Sequence, residues 1–300
     1  MQSESRLKNK ELGTQIDKYQ ALLLPFAYNI IGDLMEAEDI VQDLLNHHFL
    51  TNVADVKNTS SYLIRSVINR AINHKKLLRK RMELYPGKWL PTPVITEENI
   101  YAGADRSKIL HYSLLVLLEH LNPKERAEFI LKETFDFTHD EIGELLDINK
   151  EHWRQLLKRS KEKITLPVTK TKSLRDDQQL ITQLANAITS ADIEAAKRLL
   201  AEDVQSVSDG GPHMRAARKV LIGPERVSKF LQAIYGKYYP EDATTEFTIV
   251  NYLPAILFRR EGKIFRCMIF EIDEGIIHNV FIIVNPDKLN ALQMPETTNS

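Results

Sequence analysis

Asp136-Phe137-Thr138-His139-Asp140-Glu141-Ile142-Gly143-Glu144-Leu145-Leu146-Asp147-Ile148-Asn149-Lys150, continued by Glu151-His152-Trp153-Arg154-Gln155-Leu156-Leu157-Lys158-Arg159-Ser160-Lys161-Glu162-Lys163, is the stretch on which the reading of the chain turns. Thr138 followed three residues later by Glu141 is a capping box and marks a helix start. Ile142, Leu145 and Leu146 give that short helix one apolar face. Asp147-Ile148-Asn149 interrupts it. A second helix is expected from about Asn149 to Lys163, with Trp153, Leu156, Leu157 and Ile164 inward and Lys150, Arg154, Lys158, Arg159 and Lys161 outward. A short acidic helix, a tight turn and a longer basic helix form the pattern of a helix-turn-helix, whose second helix enters the DNA major groove. An ordinary helical hairpin with a solvated charged face is the competing reading of this stretch.

The chain has 300 residues, room for two or three domains that each bury a core. Lys plus Arg number 40 against 41 Asp plus Glu, a formal net charge of -1. That balance speaks against strong unaided DNA binding and leaves room for a DNA reader that borrows affinity from a partner. A single cysteine, Cys267, excludes an intramolecular disulfide framework and a multi-Cys metal site. With alternation around it, Cys267 reads as a small core residue. No run of about 18 apolar residues occurs and the N-terminus is polar, so a soluble cytoplasmic protein without a membrane partner is expected.

Residues 1–16 carry little pattern and read as a frayed or short helical lead. From about Tyr19 to Leu50, apolar residues recur at helical spacing, broken at Gly32-Asp33. The second helix of this pair opens with an acidic face, and Glu38, Asp39, Gln42 and Asp43 share one side of it. Repelling carboxylates cost stability, which points to a basic partner; favourable charge at a helix N-terminus is the alternative for Glu36. The next helix, about Ser60 to Met82, buries Leu63, Val67, Ile68, Ala71 and Ile72. Arg65, Asn69, Asn73 and Lys76 step round its other side, with Arg70, Lys75, Arg79, Lys80 and Arg81 beside or beyond them. Interleaved Asn and Arg suit phosphates and base edges, and Tyr62 at the helix start suits stacking on an unpaired base. A plain basic surface helix remains the alternative.

Tyr85-Pro86-Gly87-Lys88-Trp89-Leu90-Pro91-Thr92-Pro93 ends the first domain in an extended, proline-rich linker, and Trp89 is expected to dock elsewhere. A helical pair follows at Asp105–Leu121 and Pro123–Glu133, with Asn122 as cap and Pro123 at the first helical position. After a Lys/Thr-rich linker come two helices, Gln179–Ile188 and Asp192–Leu200. Strands are expected at Val204–Val207 and Met214–Val220, around Asp209-Gly210-Gly211-Pro212, and a helix at Pro224–Tyr235. Four strands close the pattern: Thr245–Tyr252, Ala255–Arg260, Lys263–Ile272 and Gly275–Val284, with turns at Glu261-Gly262 and Glu274-Gly275. Helices followed by a curling antiparallel sheet indicate an α+β cone enclosing a pocket. The reading is a multidomain chain of two all-α domains and an α+β cone. Its divisions are 1–85, a linker 86–104, 105–166, a linker 167–173, the cone at 174–290 and a tail 291–300.

In this combination the chain resembles an extracytoplasmic-function (ECF) sigma factor of bacterial RNA polymerase, of the group with a fused SnoaL-like domain of the nuclear-transport-factor-two-like fold. The residues that carry the resemblance are Ala37-Glu38-Asp39-Ile40-Val41-Gln42-Asp43 in sigma region 2 and Leu121-Asn122-Pro123-Lys124-Glu125-Arg126 opening region 4. Phe135 to Ile142 then leads into the helix-turn-helix. The group also carries a Trp-Leu-Pro-Glu-Pro linker, an Asp-Gly-Gly-Gly-Lys turn and a terminal Asn-Pro-Asp-Lys-Leu. This chain has Trp89-Leu90-Pro91-Thr92-Pro93, Asp209-Gly210-Gly211-Pro212-His213 and Asn285-Pro286-Asp287-Lys288-Leu289. It departs at Thr92, in place of an acid, and at Pro212-His213, in place of Gly-Lys.

The resemblance implies a sigma factor that directs core RNA polymerase to -10/-35 promoters, with no catalytic residues, metal or cofactor of its own. Glu38, Asp39, Gln42 and Asp43 would dock on the polymerase. Tyr62, Arg65, Asn69, Arg70, Asn73, Lys76 and Arg79 would read and help melt the -10 element. Lys150, His152, Arg154, Gln155, Lys158 and Arg159 would read the -35 element. Trp89, Leu90, Pro91, Pro93, Asp209, Gly210, Gly211 and Asn285 to Leu289 would meet at one interface that sets activity in cis, under a small-molecule or protein effector of the C-terminal domain. Two alternatives stand beside it. One is a ligand-sensing regulator that binds operators without polymerase, against which the near-zero net charge counts. The other is an enzyme, with Asp209, His213, Glu271 and His278 lining a SnoaL-like pocket.

Overall fold

The computed structural model describes residues 2–50, 58–96, 108–147, 174–237 and 240–293. The chain divides into two units. One takes Met1–Arg81, Glu98–Leu110 and Leu114–Thr165, the other Met82–Glu97, His111–Ser113 and Leu166–Ser300. The C-terminal unit therefore takes in the proline-rich linker.

In the helical unit, α1 (Gln2–Ile31), α2 (Leu34–Leu50) and α3 (Thr59–Met82) are followed by α4 (Tyr112–Leu118), α5 (Pro123–Glu133) and α6 (His139–Leu146). Of the frayed or short helical lead expected over residues 1–16, the helical alternative holds, as the first half of α1, which continues unbroken to Ile31. That helix ends where Gly32 takes φ 77° and its N–H returns to the Tyr28 carbonyl at 2.7 Å, a left-handed C-terminal cap. Buried Leu23, Phe26, Ala27 and Ile30 of α1 share the core with Val41, Leu44 and Leu45 of α2 and Leu63, Val67, Ile68 and Ala71 of α3. Both anticipated caps form. Asn122 accepts from the Lys124 and Glu125 N–H groups, each at 3.0 Å, and Glu125 answers to the Asn122 N–H at 2.9 Å. Thr138 accepts from the Glu141 N–H at 3.3 Å, and Glu141 returns to the Thr138 N–H at 2.7 Å.

Of the helix expected over Asp105–Leu121, residues 105–107 lie outside the described residues, and among the rest α4 begins only at Tyr112. Asn29 of α1 is the reason. Its amide donates to the Lys108 carbonyl at 2.7 Å and accepts from the Leu110 N–H at 3.1 Å. Tertiary bonds thus occupy backbone groups that a helix would have used, and Ile109 and Leu110 are buried without one.

The C-terminal unit holds α7 (Leu174–Thr189), α8 (Ile193–Arg198) and α9 (Pro224–Lys237) against one face of a six-stranded sheet. The strands are β1 (Leu200–Asp209), β2 (Leu221–Ile222), β3 (Thr244–Val250), β4 (Leu253–Arg260), β5 (Lys263–Asp273) and β6 (Ile276–Ile283), in the order β2-β1-β6-β5-β4-β3. Two expectations are corrected. The sheet is mixed, because β1 runs parallel to β6, with Ser206 beside Val280. Met214–Val220 is not a strand, and β1 pairs instead with the two residues of β2. Gly210-Gly211 turns the chain out of β1 so abruptly that no regular strand returns directly.

Three two-residue hairpins with positive φ at both central positions build the antiparallel part: Asn251-Tyr252, Glu261-Gly262 and Glu274-Gly275. Ile256, Phe258, Met268, Phe270, Val280 and Ile282 face the helices. The alternate residues Leu257, Cys267, Ile269, Phe281 and Ile283 are buried on the other face, as the two-residue strand period requires. Burial there pushes the Cys267 thiol far above its ordinary pKa. The interior void between helices and sheet, lined by Ile181, Leu184, Leu231, Tyr235, Met268 and Phe270 among others, measures about 10 Å³. That void has room for no more than one water.

Thr138→Ala removes the cap of α6. The expected cost is about 1 kcal/mol, seen as faster amide exchange across His139–Leu146 while α1–α3 keep their protection.

Candidate functional site

Two helix faces anticipated as contact surfaces are exposed in the helical unit. On α2, Glu38, Asp39, Gln42 and Asp43 are all exposed, and Met35 beside them is 54% exposed. Desolvation and then the neighbouring Asp39 push the Glu38 carboxyl up, as expected of crowded carboxylates. On α3, Tyr62, Arg65, Asn69, Arg70, Asn73, Lys76, Lys80 and Arg81 are exposed and Arg79 is half-buried. Lys75 is not on this stripe, because it points inward and is 2% exposed. His74 and Arg81 reach Glu36 at 2.9 and 3.6 Å, tying α3 to α2. Of the helix-turn-helix, α6 is in place with Ile142 and Leu146 buried. Lys150, His152, Arg154, Gln155, Lys158 and Arg159 lie outside the described residues.

Inside the helical unit, sequence reasoning missed a buried charge cluster. Lys75 donates to both Glu119 carboxylate oxygens, at 2.9 and 2.8 Å, and to the Ile31 carbonyl at 2.6 Å. Arg126, fully buried, donates to the same carboxylate and to the Asn29 carbonyl at 2.8 Å. The two cations lie on the last carbonyls of α1, where the helix dipole favours positive charge. Burial raises the Glu119 pKa, but Arg126 and Lys75 outweigh it and hold the carboxyl below its ordinary value.

The C-terminal unit gathers most of the third group of candidates around the Asp209 carboxylate, which is fully buried. One oxygen accepts from the Tyr85 hydroxyl at 2.5 Å and the Gly211 N–H at 3.0 Å. The other accepts from the Leu90 N–H at 2.8 Å and Lys288 Nζ at 2.6 Å. Lys288 also donates to the Leu90 carbonyl and lies 3.8 Å from the Trp89 ring centroid, a cation–π contact. Asn285 donates to the Tyr85 hydroxyl at 2.9 Å and caps the short α10 (Pro286–Leu289) through the Asp287 N–H. Both backbone groups of Leu90 are therefore held, one by an acid and one by a base.

The rest of the linker is bound with similar economy. The Pro91 carbonyl accepts from the Tyr112 hydroxyl at 2.7 Å, and the Tyr112 ring meets Phe281 edge-on at 5.3 Å. The Val94 N–H bonds Asn251 Oδ1 at 2.9 Å, the Val94 carbonyl accepts from the Asn251 N–H at 2.9 Å, and the Thr96 N–H reaches the Ile249 carbonyl at 2.8 Å. Pro91 and Pro93, which have no N–H to satisfy, occupy buried positions between these anchors. Thr92 is 1% exposed, so the departure from an acidic residue falls at a buried position. Pro212 and His213 are exposed, and the cation on Asp209 is Lys288. Pro286 and Asp287 are exposed and contribute backbone geometry, whereas Leu289 is core.

Both glycines of the turn are needed. A Cβ on Gly210 would lie 2.4 Å from the Met214 carbonyl oxygen, and one on Gly211, at φ 61°, would lie 2.7 Å from Asn285 Cγ. Tyr85 and Asn251 were not anticipated as site residues. The only sequence signal for Tyr85 was an aromatic residue at the mouth of a Pro-Gly turn.

The acid–base alternative does not assemble. Asp209 pairs with Ile283, which pairs with Cys267, whereas Glu271 lies four residues further along β5. That is about 13 Å along the strand, with a whole strand between. Glu271 accepts from Asn279 at 2.6 Å, His278 alternates to the opposite face from Asn279, and His213 is exposed. Both oxygens of Asp209 are already occupied, each by two donors.

Residues 111–164, which include the capped helix α6 and the basic segment after it, match the family model of sigma-70, region 4. Similarity extends well beyond that segment: along more than nine-tenths of its length the chain resembles extracytoplasmic-function sigma factors, and a mixed-sheet domain forms its C-terminal part. It is 25% identical over 301 residues to the "ECF RNA polymerase sigma factor SigJ" of Mycobacterium tuberculosis (strain ATCC 25618 / H37Rv), covering 94% of this chain and 95% of that one. It is 23% identical over 287 residues to the "Probable ECF RNA polymerase sigma factor SigI" of Mycobacterium tuberculosis (strain CDC 1551 / Oshkosh), covering 92% and 93%. The crystal structure of the Mycobacterium tuberculosis SigJ shares the fold, with a TM-score of 0.71 over 94% of this chain and 99% of that one, at 22% identity. Among the described residues no helix is long and apolar enough to cross a membrane.

Asp209→Asn strands the Lys288 ammonium and is expected to destabilise the C-terminal unit by about 3–5 kcal/mol, read as a lower urea midpoint and faster proteolysis at Lys88. Desolvation, followed by the Asp209 charge, raises the Tyr85 pKa far above its ordinary 10.0. A raised folded-state pKa stabilises below the unfolded value and loses that contribution as pH rises through the folded one. The unfolding midpoint should therefore fall above pH ~10, and Tyr85→Phe should flatten that alkaline limb.

Proposed function

We propose that the chain is an alternative sigma factor that brings core RNA polymerase to promoters of the -10/-35 type, with its activity set in cis by the C-terminal unit. The observation that carries this reading is the similarity to ECF sigma factors along more than nine-tenths of both chains, with the region 4 match in its place. In this reading the acidic face of α2 docks on the polymerase. The Arg/Asn stripe of α3 contacts the -10 element, with Tyr62 able to stack on an unpaired base, and the basic segment after α6 contacts the -35 element. The net charge of -1 fits a reader whose DNA affinity is supplied mainly by its partner.

The route for control is the tether between the two readers. Residues 85–96, part of the connection between α3 and α4, are bound through Leu90, Pro91, Val94 and Thr96. Releasing them adds up to about 40 Å of extended chain at ~3.3–3.6 Å per residue. An effector that competes for Asp209 or Lys288 would lengthen the tether.

Run-off transcription with purified core polymerase is the test. The full chain is expected to give a promoter-specific start, and Asp39→Lys with Asp43→Lys should reduce it by about tenfold or more without unfolding the protein. A chain that footprints DNA alone and gives no start with polymerase would be an operator-binding regulator instead.

A further inference from the structure

One edge of the C-terminal sheet carries a half-finished strand pairing. β3 ends the strand order, and its second half is already paired on the side away from β4. Ile95 of the linker bridges Val250 in antiparallel sense. The Asn251 N–H donates to the Val94 carbonyl at 2.9 Å, and the Thr96 N–H to the Ile249 carbonyl at 2.8 Å. The hairpin at Asn251-Tyr252 fixes which backbone groups point outward. Val250 and Leu253 close it, so the even-numbered residues of β3 bond β4 and the odd-numbered ones face away. The N–H and C=O groups of Thr245 and Phe247 therefore point the same way as those the linker uses on Ile249 and Asn251. They have no partner among the described residues. Thr244, Thr245, Glu246 and Phe247 are all exposed.

Sheet edges are normally blunted by shortness, proline, lysine or a bulge. At the other end of the sheet, β2 has two residues and offers almost nothing to pair with. β3 has seven, Thr-Thr-Glu-Phe-Thr-Ile-Val, without proline or lysine, and its register with β4 runs without a shift. Its one charge is drawn toward β4, where Arg259 holds Glu246 at 2.8 Å. Phe247, 36% exposed, adds apolar surface beside the open backbone groups. A second copy of this chain is the wrong occupant. With Ile249 and Asn251 taken by the linker, two copies could share only the free half. Symmetric antiparallel pairing there sets the two Glu246 side chains opposite or diagonal to each other, a like-charge contact. A strand from another protein avoids this by placing Lys or Arg at that position.

We propose that β3 is a docking edge for an extended segment of a partner protein, rich in β-branched residues and with Lys or Arg opposite Glu246, which seats on Thr244–Phe247 and then displaces Val94–Thr96. The incoming strand repeats the linker's backbone bonds to Ile249 and Asn251 and adds those of Thr245 and Phe247. The free half is the foothold, and the exchange that follows breaks no bond of the β3–β4 ladder. Being part of the same chain, the linker strand competes at a high effective concentration. A segment confined to the linker's own register therefore fails to displace it, and reach onto Thr245 decides the exchange. Leu90 stays clasped by Asp209 and Lys288 throughout, so only the end of the linker is freed. Nothing in this step depends on the sigma-factor reading.

The probe is a fluorescent peptide, Val-Ile-Thr-Thr-Val-Lys-Thr, which repeats Val94-Ile95-Thr96 and continues antiparallel to β3 so that its lysine falls opposite Glu246. It is titrated with the full chain by anisotropy, and backbone amide exchange is followed in parallel. Saturable binding is expected, with slower exchange at Thr245 and Phe247 and faster exchange at Thr96. The peptide Val-Ile-Thr alone should not compete. Thr245→Pro, which removes only an outward N–H, should weaken binding about tenfold. N-methylation of the peptide valine opposite Phe247 should weaken it to a similar extent. Thr96→Pro, which removes the linker's own bond to Ile249, should tighten it by about as much. Absence of saturable binding, or binding indifferent to the N-methyl group, overturns the proposal. So does a bound peptide that leaves Thr96 protected, or a Thr96→Pro chain of unchanged affinity. The N-methyl arm decides the matter if Thr245→Pro fails to fold.

Discussion

Asp209 leaves the end of β1 with each carboxylate oxygen met by two donors, and the organisation of the C-terminal unit follows from how those donors are supplied. Two come from a linker residue's backbone and a tyrosine 124 positions earlier, one from the turn that Gly211 makes possible, and one from Lys288, 79 residues later. A buried carboxylate with no vacant lone pair is tolerated in the core; the same group short of one donor is not. The four contacts are therefore mutually dependent. Lys288 needs the acid, Leu90 needs both, and Trp89 and Tyr85 cover the cation with their rings. Such an arrangement comes apart as a whole rather than residue by residue.

The helical unit uses buried charge differently. Around Glu119 the anion is outnumbered and one guanidinium nitrogen lacks a partner among the described residues, whereas around Asp209 the donors and acceptors balance. A fully matched site gives a firm attachment. An undersupplied one gives an attachment that is well directed but shallow. The proline-rich segment is on the firm kind. Its prolines contribute by absence, since a segment with fewer N–H groups can be buried with fewer partners.

Much of this was legible from local pattern. The caps at Asn122 and Thr138 depend on residues three apart, and the Glu261-Gly262 and Glu274-Gly275 turns on neighbours, so sequence alone sufficed for them. What failed was decided at a distance. The expected helix gave way over residues 108–111 because Asn29 occupies the Lys108 and Leu110 backbone groups, and nothing near them in sequence announces that. The parallel pairing of β1 with β6 is equally non-local. Lys75 is more instructive, because it lies four residues after Ala71 and three before Leu78 and so continues the buried stripe of α3. The period carried the signal, and the charge argued it away. The candidate residues of the linker, the Asp-Gly-Gly turn and the last helix were named individually from motifs, but Tyr85, which links Asp209 to Asn285, belongs to no motif and emerged only from geometry.

The bond from Lys288 to the Leu90 carbonyl spans 198 residues, and this separation has a consequence for the order of events in the cell. A ribosome adding ~5–20 residues per second needs about 10–40 s to travel that distance. During this interval α1, α2 and α3 are already outside or emerging, while the lysine that clasps the linker has yet to be made. Each new molecule thus passes through a period in which its N-terminal helices exist with an unclasped tether. The clasp on Leu90 can form only after Lys288 has been made, so the age of the molecule, as well as its surroundings, bears on whether that segment is bound.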